Sequence, residues 1–368
     1  MQPLISVIIP LYNHEKFIYQ AAVSVLEQTY NNLELIIIDD GSRDKSVAVA
    51  SSLSDPRVKL FTQENKGAHA AINRGIASAQ GEYIAILNSD DVYHPRRLQT
   101  FVEAIAADKT IDGLFSQVEA IHESNEHYFF YGNYPIHNIP LKRLHPDQRL
   151  AADLLGRNIV TTTSNLFCKK EVFDDLGLFK YYRYAHDLDF FLKLFHHRHV
   201  RFISESLLCY RFHSTNTIKE DNSLVLFETA IVLSDFLQTH PPQQLFPDTP
   251  PEQVHAYFIS ALNIPHIDRV LLVLSQNSGT DSWPHLRDSL LRDVTHPLRI
   301  ACLNYLQDSL SLEKKHKEAV QQVENLTDKL EKLKHEYSLY QQSISFRVGR
   351  CCTLPARKIL SAVKNLFV

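Results

Sequence analysis

Short runs rich in β-branched residues alternate with helical patterns through the first quarter of the chain, and that alternation limits the fold more than any other feature. Ile5-Ser6-Val7-Ile8-Ile9 reads as a buried strand closed by Pro10. A helix follows over Glu15–Gln28, with Phe17, Ala21, Ala22, Val25 and Leu26 on one face. Leu33–Ile38 and Val58–Phe61 read as further strands, Ala68–Ala79 as a helix and Tyr83–Leu87 as a fourth strand. This spacing predicts βαβ units and a mostly parallel sheet. Ligands of such sheets collect at the carboxyl ends of the strands. Two acidic clusters fall there, Asp39-Asp40-Gly41-Ser42 and Asn88-Ser89-Asp90-Asp91.

The rest of the chain is organised differently. From Ile111 to His213 it is irregular and rich in aromatics and histidines, the clearest element being a helix that begins near Asp187. Beyond Asn216 the pattern is helical, interrupted by a Pro-rich stretch, Pro241–Pro251, that reads as a surface loop. A heptad seam then runs from Leu312 through Ala319, Val323, Leu326 and Leu330 to Ile344, flanked by mixed charges. It predicts a parallel dimer or a hairpin against the protein's own helices. Only 10 glycines occur in 368 residues, well under the usual ~7%, and eight of them lie at or before Gly177, so turns concentrate in the first half.

No apolar run approaches the ~18–20 residues of a membrane span, which excludes that class. The N-terminus has neither the basic nor the apolar region of a secretory signal, and the five cysteines form no C-x-x-C pair, so the expected location is the cytoplasm. The net charge of −4 argues against nucleic acid as a partner. Arg347–Val368 carries five basic residues and no acidic one. Within it Ile359, Leu360, Val363, Leu366 and Phe367 form a stripe, so the tail reads as a basic amphipathic helix, suited to an anionic membrane surface or to docking on its own protein.

Several residues carry chemistry. Carboxylates after a strand are common turn formers and caps, but two such pairs on one sheet edge suit a divalent cation and a diphosphate. Asp187 at a helix start is either a cap or a base; His213 at a strand end is either structural or a metal ligand. His196-His197-Arg198-His199 lacks the i, i+4 spacing of a helical metal site and reads as a solvated helix end.

Taken in order, Ile5–Asn13, Gln28-Thr29-Tyr30, Glu34–Ser42, Asn65-Lys66-Gly67, Asn73-Arg74-Gly75 and Gly81–Asp91 resemble the motifs of family 2 glycosyltransferases of the GT-A fold, of the bacterial surface-polysaccharide type. The resemblance covers Ile5 to His213. It implies an α/β fold with a Rossmann-like, mixed and mostly parallel sheet flanked by helices; the pattern beyond it predicts a helical C-terminal region with a coiled coil. The expected boundaries are a GT-A domain over 1–215, a helical extension over 216–308, a coiled coil over 309–345 and the basic tail over 346–368.

Carried over by position, the resemblance implies that Pro10, Tyr12, Asn13, Asp40, Asn65, Gly67 and Asp90 bind the donor nucleotide. Ser89-Asp90-Asp91 matches the D-x-D motif with Ser in the first place, and Asp91 and His213 would ligate Mn²⁺ or Mg²⁺. Asp187 matches the catalytic base, with His186 where the family has glutamate, and Asp189 reads as a structural helix charge. The implied activity is inverting, metal-dependent sugar transfer from a nucleoside-diphosphate sugar to a hydroxyl of a glycan or lipid-linked acceptor in cell-surface polysaccharide synthesis. Ser345–Arg350 resembles a motif that follows coiled coils in such enzymes, which implies a tail at the inner face of the membrane, while the heptad seam is expected to form a homodimer. Two rivals remain at this stage. One is a non-catalytic assembly protein with a degenerate sugar-nucleotide fold. The other is a sugar nucleotidyltransferase, which would need a Gly-rich loop where Pro10–His14 stands.

Overall fold

The computed structural model describes residues 2–124, 154, 159–213, 222–245, 250, 253, 267–277 and 282–342. Strands β1 (Ile5–Leu11), β2 (Leu33–Asp39), β3 (Val58–Thr62), β4 (Tyr83–Ile86) and β5 (Val92–Tyr93) are interleaved with helices α1 (Ile18–Leu26), α2 (Ser46–Ser51) and α3 (Ala68–Ser78). Then come α4 (Arg97–Ala107), β6 (Gly113–His122), a 3₁₀ turn at Thr163–Asn165, β7 (Phe167–Lys169), α5 (Val172–Leu176), α6 (His186–His197) and β8 (Val200–Phe212). The C-terminal region is helical: α7 (Asn222–Thr239), α8 (Pro242–Leu245), α9 (Ile267–Asn277), α10 (Trp283–Arg292) and α11 (Pro297–Gln342). Among the described residues no helix is long and apolar enough to cross a membrane.

The eight strands form one sheet in the order β3-β2-β1-β4-β7-β6-β8-β5. β1 pairs in parallel with β2 and β4, β2 with β3, and β6 with β8, while the pairs involving β5 and β7 are antiparallel. Apolar runs without alternation arise because both faces of the sheet are covered. Ile8, Ile36, Ile38, Ile84 and Ile86 pack on one side with α3 and α6. Val7, Ile9, Leu35, Ile37 and Ala85 pack on the other with α1 and α4.

Two details depart from the sequence reading. β1 does not stop at Pro10 but runs to Leu11, with Pro10 opposite Ile38. The reason is the short β4: its pairing with β1 ends at Ile8↔Ile86, so the missing Pro10 N–H faces a side with no strand left to bond. Part of the Pro-rich stretch, Pro242–Leu245, is a helical turn rather than loop. The basic tail lies outside the described residues.

Two glycines are fixed by close approach. A Cβ on Gly75 would sit 2.4 Å from Ile8 Cγ2, and one on Gly81 would sit 2.6 Å from the Ser6 backbone nitrogen. α3 and the start of β4 therefore lie against β1 at distances that only glycine permits.

The chain divides into two compact units, Met1–Leu306 and Gln307–Val368. In the first, the C-terminal helices are joined to the sheet domain through Asp235 of α7, which accepts from Lys180 Nζ (2.6 Å), Trp283 Nε1 (2.9 Å) and Arg287 Nη1 (3.0 Å). In the second, the remainder of α11 has its heptad seam in solvent, with Leu312 66% and Val323 62% exposed.

At the amino end of the strands, Glu34 accepts from Ser6 Oγ (2.5 Å), Lys59 Nζ (2.6 Å) and the Gln80 backbone N–H (2.6 Å). Burial raises its pKa, but these donors, led by Lys59, outweigh burial and hold the carboxyl below its ordinary value of 4.5. The unfolded chain binds the proton more readily, so this stability is complete above the ordinary glutamate range and is lost as pH falls through and below it. Glu34→Gln should cost about 1–2 kcal/mol at pH 7 and little at pH 3. Urea unfolding at the two pH values measures the difference between wild type and variant, which should shrink on acidification.

Candidate active site

The loops after β1 and β2 are laced together. Asn13 has φ 51°, a left-handed conformation that asparagine tolerates. Its N–H donates to Ser42 Oγ (2.9 Å) and its Oδ1 accepts from the Arg43 N–H (2.8 Å), while the His14 N–H donates to Ser46 Oγ (2.8 Å). Tyr12, next to Pro10 and Leu11, is 42% exposed and free to meet a ligand.

The two acids of the first cluster have separate tasks. Asp39 Oδ2 accepts from the Gly41 and Ser42 N–H groups and closes the turn, where Gly41 has φ 77°. Asp40 Oδ1 accepts from Gln63 Nε2 (2.8 Å) and the Lys66 N–H (2.9 Å), and its Oδ2 from the Gly67 N–H (2.8 Å). Asp40 thus orders the loop that carries Asn65 and Gly67, and Asn65 itself is exposed.

The second cluster is divided more sharply. Asp91 is fully buried; its Oδ1 accepts from the Arg211 N–H (3.0 Å), and its Oδ2 from Ser164 Oγ (2.5 Å) and Thr162 Oγ1 (3.4 Å). Burial, reinforced by the Asp90 charge, pushes its carboxyl well above the usual range. Asp90 Oδ2 instead lies 2.9 Å from His213 Nε2. Burial opposes its ionisation, but the His213 hydrogen bond and the nearby imidazoles hold its carboxyl low. His14 completes this group: the ligand atoms of His14, Asp90 and His213 all lie within 4.8 Å of one another. His14 Nδ1 is also 2.7 Å from Ser89 Oγ, and burial lowers its pKa, so it offers a neutral nitrogen. Asp90, His213 and His14 converge, therefore, while both oxygens of Asp91 are engaged by protein donors.

Asp187 stands half-buried in the first turn of α6. Its Oδ2 accepts from Thr163 Oγ1 at 3.3 Å. Thr161–Asn165 therefore joins the two acids, since Thr162 and Ser164 reach Asp91 and Thr163 reaches Asp187. Thr161 has φ 76°, a strained value for a β-branched residue. Behind the turn, buried Arg97 is held between Tyr93 and Phe101 and donates to Asn165 O and Oδ1, both at 3.1 Å. Asp189, in the same helix turn as Asp187, is paired with Lys180 and Lys193. His186 is buried among residues that include Phe179.

Sequence reasoning left His14 and the hydroxyls of Thr162, Thr163 and Ser164 without a role. His14 follows the Tyr12-Asn13 motif directly, and the run Thr161-Thr162-Thr163-Ser164-Asn165 is a dense hydroxyl cluster, so both left a signal.

Comparison with known proteins gives a consistent result. A family model described as "Glycosyl transferase family 2" matches residues 6–177. An uncharacterized glycosyltransferase of Rickettsia typhi is 30% identical over 223 residues, 58% of this chain and 66% of its own length. The glycosyltransferase GlyG of Streptococcus pneumoniae serotype 4 is 39% identical over 134 residues, 36% of this chain and 44% of its own length. The chain thus spans two thirds or less of the length of these curated relatives. Among solved structures, S. aureus TarS 1–349 in complex with UDP-GlcNAc superposes with a TM-score of 0.56 at 15% identity, covering 85% of this chain and 92% of that one, which establishes a shared fold. With its ordered motifs, the matching family model and this common sheet, the chain belongs to the family 2 glycosyltransferases of the GT-A fold.

Proposed function

We propose that the protein transfers a sugar from a nucleoside-diphosphate donor to an acceptor hydroxyl with inversion at the anomeric carbon. The observation that carries this reading is the Thr162–Ser164 turn, which ties an acid beside a cation-suited cluster to a separate acid at a helix start. The structural relative TarS is seen with UDP-GlcNAc, a donor of the proposed class.

Two imidazole nitrogens and one carboxylate oxygen within 4.8 Å fit a divalent cation, and the nitrogen donors favour Mn²⁺ over Mg²⁺. We assign Asp90, His213 and His14 to hold it, in place of Asp91, whose two oxygens already accept from protein donors. Bound there, the ion supplies neutralising charge for a departing diphosphate. Tyr12, Asn13 and the Asp40-ordered loop with Asn65 and Gly67 hold the nucleotide. Asp187 accepts the proton of the acceptor hydroxyl as that oxygen attacks. A single displacement in line with the leaving group inverts the anomeric carbon. The acceptor we propose is a hydroxyl of a glycan or lipid-linked intermediate in cell-surface polysaccharide synthesis, with the basic tail at the inner membrane face and a homodimer formed through the heptad seam. These last points rest on the sequence of the tail and seam.

A panel of nucleotide sugars, scored by Mn²⁺-dependent thermal shift and then by hydrolysis and transfer, tests the reading. With the donor so found, Asp187→Asn should lower turnover about 10²–10⁴-fold and leave donor affinity within about twofold. Wild-type turnover in that variant would remove Asp187 as the base. Asp90→Ala should abolish the Mn²⁺-dependent gain in donor affinity, measured by calorimetry with and without the ion. No hydrolysis or transfer with any donor would favour the non-catalytic assembly reading.

A further inference from the structure

We propose that His196, His197 and His240 form a second metal site, a three-histidine centre for a transition-metal ion of the zinc type, at the end of α6 opposite Asp187. The sequence alone reads His196-His197 as a solvated helix end. The fold adds His240, which follows the last residue of α7. The ligand atoms of the three residues lie within 4.8 Å of one another, and the ring centroids are 4.1 Å (His196–His240), 4.7 Å (His196–His197) and 5.3 Å (His197–His240) apart. Zinc–nitrogen bonds of about 2.0–2.1 Å need only modest side-chain rotation to close around an ion.

Three further observations favour a ligand set over a chance cluster. His240 Nδ1 lies 3.1 Å from the Phe236 carbonyl oxygen and 2.8 Å from Thr239 Oγ1, whose own hydroxyl donates to that carbonyl; both oxygens can accept from Nδ1–H, the tautomer that leaves the Nε2 lone pair for a metal. Phe236 packs against the rings of both His240 (4.4 Å) and His196 (5.7 Å) and so limits their rotation. The cluster contains no carboxylate. An all-imidazole set suits zinc, nickel or copper and is poor for Mg²⁺ or Ca²⁺. His199 lies outside the group, with Nδ1 2.9 Å from Thr110 Oγ1. α6 has 12 residues and is about 18 Å long, so this site is distinct from the diphosphate end. An ion here would staple the C-terminal ends of α6 and α7.

The test uses tag-free, metal-stripped protein carrying His213→Ala to silence the first site, with zinc affinity read by competition with a chromophoric chelator. We expect one equivalent of zinc, a rise in unfolding temperature with zinc, and visible ligand-field bands of tetrahedral Co²⁺. Adding His240→Ala should weaken zinc binding more than about tenfold and erase both other signals. His197→Ala, at an exposed position, should do the same and guards against a folding defect at His240. Equal zinc affinity with and without the triad changes, in proteins of unchanged circular dichroism, would overturn the proposal.

A separate observation concerns the exposed seam of α11, and it rests on the homodimer proposed above. We infer that two copies pair antiparallel about a two-fold between Glu324 and Asn325. This register sets Val323 against the partner's Leu326 and Leu312 against the partner's Tyr337, covering residues that are 40–66% exposed. It places Lys315 beside the partner's Glu336 and Glu313 beside the partner's Lys334, each pair twice. Parallel pairing in register would instead oppose Lys329 to the partner's Lys334 and Asp308 to the partner's Glu313. Glu313 and Lys334 now make intrahelical surface pairs with the exposed Lys317 and Glu331, which are cheap to exchange. In sedimentation of the full chain, Lys315→Glu and Glu336→Lys should each weaken dimerisation several-fold, and the double exchange should restore it. A dimer insensitive to both single changes would overturn the antiparallel orientation, and a monomer at all concentrations would overturn the dimer itself.

Discussion

The carboxylate of Asp91 is the contact on which the site depends. It joins the end of β4 to β8 through the Arg211 N–H and to the approach to β7 through Ser164 and Thr162. An acid buried so completely is costly as an ion, and the charge of Asp90 beside it adds to the cost. The asymmetry has a use. With Asp91 satisfied by the protein and biased toward its neutral form, Asp90 is left as the ionised member, facing His213 and His14. Adjacent residues of one motif therefore divide into an acid held by protein donors and an acid that faces two imidazoles, across a turn closed by the Asp91 N–H on the Asn88 carbonyl.

Much of this was legible in the sequence. The runs from Ile5 to Leu87 sit between two covered faces, and such strands announce themselves by uninterrupted apolar residues. The acidic clusters lie at the carboxyl ends of those strands, as the alternation requires. Other parts were not legible. β6 and β8 pair in parallel over ten residue positions with two register shifts, and β8 mixes exposed and buried residues, so it lacks a clean period. The roles within Ser89-Asp90-Asp91 were equally hidden, since they depend on hydroxyl donors more than seventy residues away.

The histidines show the same limit. Spacing within His196-His197-Arg198-His199 cannot reveal a third imidazole supplied by another helix, nor that His199 turns away to Thr110. His213 and His14 meet over a separation of about two hundred residues for a similar reason: one follows β8 and the other follows β1, and only the sheet order brings those positions together. Sequence identifies chemistry that is local; the sheet determines which pieces of chemistry become neighbours.

The hydroxyl turn before β7 has a mechanical meaning. Its side chains alternate between the buried acid and the acid of α6, and consecutive Cα atoms are separated by a fixed ~3.8 Å. The distance between the two halves of the site is consequently gauged by covalent bonds and not by loop closure. Thr161, held at φ 76°, is the clamp that sets this gauge at an angle the backbone would not choose unaided. Substrates of different size would have to be accommodated by the surrounding loops, because the ruler between the two acids does not stretch.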